Sequence, residues 1–144
     1  VPEHPRPDKS RYAAFIDVPT RWSDNDAYGH LNNSVYYALF DTAVTRFLFS
    51  LSDQIPKPLP ILFVAETSCR YLAEAAYPDA LSVGIRIERL GTSSIAYELA
   101  VFRQDDPLAV AQGRFVHVHI DAATRRPHPL PAALRTLLEP YCDA

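Results

Sequence analysis

The stretch Asn33-Ser34-Val35-Tyr36-Tyr37-Ala38-Leu39-Phe40-Asp41-Thr42-Ala43-Val44-Thr45-Arg46-Phe47-Leu48-Phe49-Ser50 decides how the rest of the chain must be arranged. Its apolar residues recur at helical spacing, and only Ser34, Asp41, Thr42, Thr45 and Arg46 form a narrow polar stripe. A helix so apolar needs cover around much of its circumference. It is preceded by the polar run Ser23-Asp24-Asn25-Asp26-Ala27-Tyr28-Gly29-His30-Leu31-Asn32-Asn33, a loop that ends in good N-cap residues.

Outward from the helix, the period changes to two. Tyr12 to Arg21 reads as a strand, with Pro19 suggesting an edge position or a bulge. After the loop marked by Pro56, Pro58 and Pro60, further strands are expected over 61–72, 81–90, 95–103 and 109–120. Val83, Ile85 and Ile87 share one face of their strand, and Val116, Val118 and Ile120 share one face of theirs. A short helix over 131–138 closes the chain. One strand, one buried helix and a strand meander make an α+β domain. An antiparallel sheet of five to six strands curled around the central helix buries both the helix and the one-sided strands. The whole chain reads as one domain with its core over about 11–121, and the Pro-rich start, 1–9, is expected to be flexible.

Bulk properties exclude several classes. The 144 residues suffice for a real core, with 48% hydrophobic and 22% charged residues. A formal charge of −3 and no dense Lys/Arg cluster speak against nucleic acid as a partner. No run approaches the ~20 apolar residues of a membrane span, and the start has no apolar signal core. Cys69 and Cys142 make neither a disulfide framework nor a zinc set, so a cytoplasmic, reducing location is expected. Four glycines leave no Gly-rich phosphate loop, and there is no G-x-S-x-G elbow.

The loop carries the chemistry. Asp26 lies shortly before the helix, whose first N–H groups lack intrahelical partners and whose dipole favours negative charge. Asp24 and Asp26 can equally serve as turn or capping residues. The string Asp24-Asn25-Asp26-Ala27-Tyr28-Gly29-His30-Leu31-Asn32-Asn33-Ser34-Val35-Tyr36 resembles the signature of the 4-hydroxybenzoyl-CoA thioesterase-like family of hotdog-fold acyl-CoA thioesterases. The similarity continues through 37–46, Ala65 to Tyr71 and Leu90 to Ser94, covering about residues 12–121.

The resemblance implies a hotdog thioesterase that cleaves an acyl-CoA to a free acid and CoA. It implies a homodimer or homotetramer with active sites between subunits. The family's catalytic carboxylate falls on Asp26, as nucleophile or general base, with backbone N–H groups near Asn33 and Ser34 holding the oxyanion. Some relatives carry Tyr and His where this chain has Trp22 and Asn33, so it is closer to the branch with a His-hydrophobic-Asn-Asn string.

Other candidates keep two readings. His30 orients a carbonyl or moves a proton, or else bonds loop backbone. Asn32 and Asn33 cap the helix or position water. Tyr28 reshapes the acyl pocket, and Tyr36 lines it or packs in the core. Asp41 faces the site or pairs with Thr45 or Arg46. Glu66 is a second candidate acid, costly to bury unpaired. Arg70, with Arg89, Arg103 and Arg114, is a candidate for CoA phosphates or a solvated strand residue. Thr92 and Ser93 sit in a turn that shares the resemblance and are carried as substrate-binding candidates. His117 and His119 share a strand face, which is expected to be exposed rather than metal-binding. No metal or redox cofactor is expected. The reading from another class is an acyl-CoA or acyl-carrier-protein binding module that keeps the fold without turnover.

Overall fold

The computed structural model describes residues 4–142. Strands β1 (Ala14–Pro19), β2 (Ile61–Tyr71), β3 (Ala80–Leu90), β4 (Ser94–Arg103) and β5 (Ala111–Ile120) form one antiparallel sheet in the order β1-β3-β4-β5-β2. Helix α1 (Asn33–Leu51) lies across the inner face of this sheet, and the short helix α2 (Ala132–Leu138) follows β5. The expected hotdog arrangement of a sheet around a long helix is present, with five strands.

The core forms where the helical and strand periodicities meet. Tyr36, Leu39, Phe40, Ala43, Val44, Phe47 and Leu51 recur every three or four residues and are buried. They meet Val83, Ile85 and Ile87 of β3, Ile95, Tyr97 and Leu99 of β4, and Phe115 of β5 in one cluster. Phe40 is seated over Gly113, where any Cβ would collide with the Phe40 ring and the Ser68 carbonyl. Truncating so well-packed an aromatic typically costs about 3–5 kcal/mol.

Burial of α1 holds on one side only. Tyr37, Ala38, Asp41, Thr42, Thr45 and Phe49 stay open, and Phe49 is 67% exposed. A single sheet covers one stripe of a helix, so Tyr37, Ala38 and Phe49 stay exposed among the described residues. Edge strand β2 matches this open side: it pairs only with β5, and Phe63, Val64 and Tyr71 are exposed along it.

Strand β5 reverses the expected facing. Its buried residues are Ala111, Gly113, Phe115, His117 and His119 with Ile120 at its end, whereas Val116 and Val118 are only half-buried on the outer face. Seating Gly113 under Phe40 and Phe115 against Tyr97 sets the register, and alternation then carries both histidines inward. His117 Nδ1 meets the Tyr97 hydroxyl at 3.3 Å, and His119 Nδ1 faces the carbonyls of His128 and Pro129 at 3.1 and 3.0 Å. Burial holds the His117 imidazole down at about 4, so it is neutral at pH 7.

The Pro-rich start, expected to be loose, is tied to the outer face from Arg6 onward. Arg6 bonds Asp106 and the carbonyls of Leu108 and Ala109, and Lys9 N–H donates to the Pro107 carbonyl. Tyr12 packs with Ala100, Phe102 and Ala109 in a second small core.

Candidate active site

The loop between β1 and α1 separates its two acids into different environments. Asp24 ends a short 3-10 turn, Trp22–Asp24, and is buried. Its carboxylate accepts from the Arg21 backbone N–H at 2.8 Å and from the Arg21 guanidinium at 2.9 and 3.2 Å. Its carbonyl accepts from the Asn32 N–H at 2.9 Å. Asp24 therefore fastens the loop's entrance to its exit and is the capping acid.

Two residues on, Asp26 is turned differently. Its N–H donates to the His30 carbonyl at 2.8 Å, closing a tight turn that Gly29 makes possible with φ +84°. Oδ1 accepts from the Tyr28 N–H at 2.8 Å. Oδ2 faces His30 Nδ1 at 3.9 Å, with the side chain 22% exposed. The opposite ring nitrogen, Nε2, stands 3.7 Å from Glu74 Oε1. The loop is braced against the β2–β3 connection: Leu31 N–H donates to the Ala75 carbonyl, and Tyr77 N–H to Asn25 Oδ1.

Asp26, His30 and Asn33 line one cavity of about 410 Å³ with Leu31, Tyr36, Tyr71 and the stretch 72–75. Tyr36 and Tyr71 meet edge to face at 5.1 Å, and the Tyr71 hydroxyl donates to the Asn33 carbonyl at 3.1 Å. Burial pushes the Tyr36 hydroxyl up to about 12, so at pH 7 it is a neutral donor.

The helix mouth is partly capped. Asn32 Oδ1 accepts from both the N–H and the hydroxyl of Ser34, at 2.9 and 2.8 Å. Val35 N–H is taken by the Asn32 carbonyl. Of the N–H groups at the helix mouth, those of Ser34 and Val35 are thus taken. Asn33 N–H meets no acceptor among the described residues. It belongs to the first residue of α1, where the helix dipole favours negative charge.

Of the other sequence candidates, Tyr36 lies in the cavity and the rest do not. The Tyr28 ring is 84% exposed, and its part is the backbone N–H that holds Asp26. Asn32 and Ser34 form the cap. Glu66 pairs with Arg114 on the outer sheet face at 3.2 Å. Arg70 lines clefts on that same face with Gln112, because alternation along β2 sends it away from its neighbour Tyr71. The carbonyls of Thr92 and Ser93 accept from Leu130 and His119, tying down the C-terminal segment. The sequence reading missed Tyr71 and Glu74 as lining residues. Tyr71 was signalled by its position opposite Arg70 in the alternation; Glu74 lies in a connection with no periodicity to read.

Comparison with known proteins places this geometry. Residues 20–138 match the thioesterase-like superfamily. The chain belongs to that superfamily. Among solved structures, the thioesterase-like chain is similar to the PA5185 protein of Pseudomonas aeruginosa, with 42% identity, a TM-score of 0.89 and coverage of 97% of this chain and 99% of that one. A thioesterase of Thermus thermophilus, solved with coenzyme A and zinc, is 27% identical with a TM-score of 0.73, covering 89% and 92%. A 1,4-dihydroxy-2-naphthoyl-CoA thioesterase of Synechocystis shares the hotdog fold at 20% identity and a TM-score of 0.75, covering 86% and 93%. Among curated proteins, YsmA of Bacillus subtilis is 24% identical over 87 residues, 60% of this chain. That match spans 59% of YsmA's own length. Among the described residues no group of three or more His, Cys, Asp or Glu could hold a metal ion, and no helix is long and apolar enough to cross a membrane.

Proposed function

We propose that this thioesterase-like chain hydrolyses acyl-CoA thioesters at the cavity beside the mouth of α1. The observation that carries the reading is that Asp26 and Asn33 line one cavity, where among the described residues Asp26 Oδ2 meets no hydrogen-bond donor and the Asn33 N–H no acceptor. Asp26 Oδ2 is the base or nucleophile. The Asn33 N–H is the donor for the oxygen that becomes negative when the thioester carbonyl turns tetrahedral. The Tyr28 N–H on Oδ1 orients the carboxylate and leaves its other oxygen for chemistry.

Two routes are open to Asp26. As general base it draws a proton from water while that water attacks the carbonyl carbon. As nucleophile it forms a mixed anhydride and releases CoA thiolate, and water then cleaves the anhydride. Single-turnover hydrolysis in ¹⁸O water separates them, since only the anhydride route can leave label in the Asp26 carboxylate. His30, between Asp26 and Glu74, assists by orienting substrate or moving protons.

The uncovered surfaces support an assembly of copies of this chain. A homodimer, or a homotetramer built from it, would cover the unpaired edge of β2 and the open side of α1. The test of the whole reading is thiol release over a panel of acyl-CoAs. Turnover by the wild type and its loss in Asp26→Asn support it. Binding of a non-hydrolysable acyl-CoA with no thiol release on any substrate would leave the non-catalytic binding module instead.

A further inference from the structure

We infer that this cavity selects acyl groups without a negative charge, and that Glu74 is a specificity-determining residue. The inference rests on the acyl-CoA reading above. The cavity holds two carboxylates, Asp26 and Glu74, and no Lys or Arg among its lining residues. The two acids flank one imidazole, at 3.9 Å from Nδ1 and 3.7 Å from Nε2 of His30, so Glu74 is turned over the cavity and not away from it. Most of the remaining wall is apolar or phenolic: Leu31, Tyr36, Tyr71, Leu72, Ala73 and Ala75. The guanidinium that touches this connection, Arg103, bonds the Glu74 carbonyl at 3.4 Å and faces Asp105 and Asp106 at 3.6 and 3.7 Å, so its charge is engaged outside the cavity.

A third carboxylate brought in on the end of an acyl group would lose water against an apolar wall and gain no Lys or Arg in exchange. It would also stand among like charges, a cost that grows as water is excluded. An aliphatic, aromatic or hydroxylated acyl group meets neither penalty, and the Tyr36 hydroxyl offers it a donor. Because the Glu74 side chain is 83% exposed, its share of the discrimination is the smaller and salt-sensitive one.

The test uses the full chain and two thioether analogues, S-hexyl-CoA and the matched analogue ending in a carboxylate, with binding followed by calorimetry. Both carry the same CoA, so any repulsion of its phosphates cancels in the ratio. Wild type should bind the neutral analogue on the order of tenfold more tightly. Glu74→Gln should narrow that ratio about threefold, and 0.5 M salt should narrow it similarly. Equal affinities in the wild type would overturn the inference. So would Glu74→Gln weakening both analogues alike, which is the mark of a residue that merely holds its loop. Discriminating binding without thiol release from any acyl-CoA would sink the hydrolase reading and leave the charge selection standing. Absence of binding by either analogue would sink both.

Discussion

Two carboxylates, Glu98 on the outer face of the sheet and Asp26 in the loop before α1, show how the same group can be fully satisfied in one place and half satisfied in another. Glu98, on the outer face, accepts from Arg11 Nε and Nη2, Tyr12 Oη, Arg86 Nη1 and Gln112 Nε2, all between 2.7 and 3.0 Å. Burial alone would push its pKa up, but the donors from Arg11, Tyr12 and Gln112 outweigh it and hold the carboxyl down at about 2. Asp26, a lining residue of the cavity, has one backbone donor on Oδ1 and, among the described residues, no hydrogen-bond donor on Oδ2. A carboxylate with every lone pair occupied has nothing left to offer a substrate. One that is half satisfied is oriented and still available.

Substitutions sharpen this contrast. Asp26→Asn should produce the largest effect, lowering kcat for thiol release by about three orders of magnitude with little change in melting temperature. If turnover survives near the wild-type level, the carboxylate is outside the mechanism. Glu98→Gln should do the opposite, leaving kcat per folded molecule intact. Urea denaturation should show a loss of about 3 kcal/mol, because Arg86 and Arg11 lose their buried counter-charge. Removal of the helix cap by Asn32→Ala should cost about 1 kcal/mol and change activity less than Asp26→Asn does. Tyr28→Ala should be the mildest, since Tyr28 reaches Asp26 through its backbone and its ring is in water. A large loss of kcat there would mean that the ring acts on the substrate in the assembled protein.

Acid titration separates a third buried group from these two. His117 stays neutral in the fold down to about pH 4, whereas an unfolded chain takes up that proton near pH 6.5. Between those values the unfolded state binds more protons, so stability falls as pH falls through the window. The loss should reach roughly 2 kcal/mol by pH 4.5. Glu98 works lower down: its contribution is complete above its ordinary value near 4.5 and disappears as pH falls toward 2. His117→Asn, which keeps a partner for Tyr97, should flatten the upper window only. Denaturation midpoints at pH 7, 5.5 and 4.5 read this directly.

Much of this was legible in the sequence, for reasons that differ by residue. Helix α1 begins at Asn33 as read, because a side-chain cap and an apolar period coincide there. The five strands follow from period-two runs bounded by Pro and Gly. The facing of β5 was not legible, since Val116 and Val118 look more like core than His117 and His119 do. The contacts of Gly113 with Phe40 and of Phe115 with Tyr97, distant in sequence, decide between the two faces. Within the site, Asp26 and Asn33 share a short loop and could be paired by proximity. The difference between Asp24 and Asp26 could not be read, because it depends on where Arg21 folds back. Glu74 reaches His30 across a gap of more than forty residues, and nothing local to either announces it.

The strand order also constrains how the molecule comes into being. Strand β2 has its hydrogen-bonding partner in β5, about 40 to 60 residues further along, so a chain leaving the ribosome displays both α1 and β2 long before either is covered. Closure of the sheet must wait for the last strand to emerge. Stop codons or slow translation ahead of residue 111 should therefore yield sticky, chaperone-dependent fragments instead of a smaller working fold.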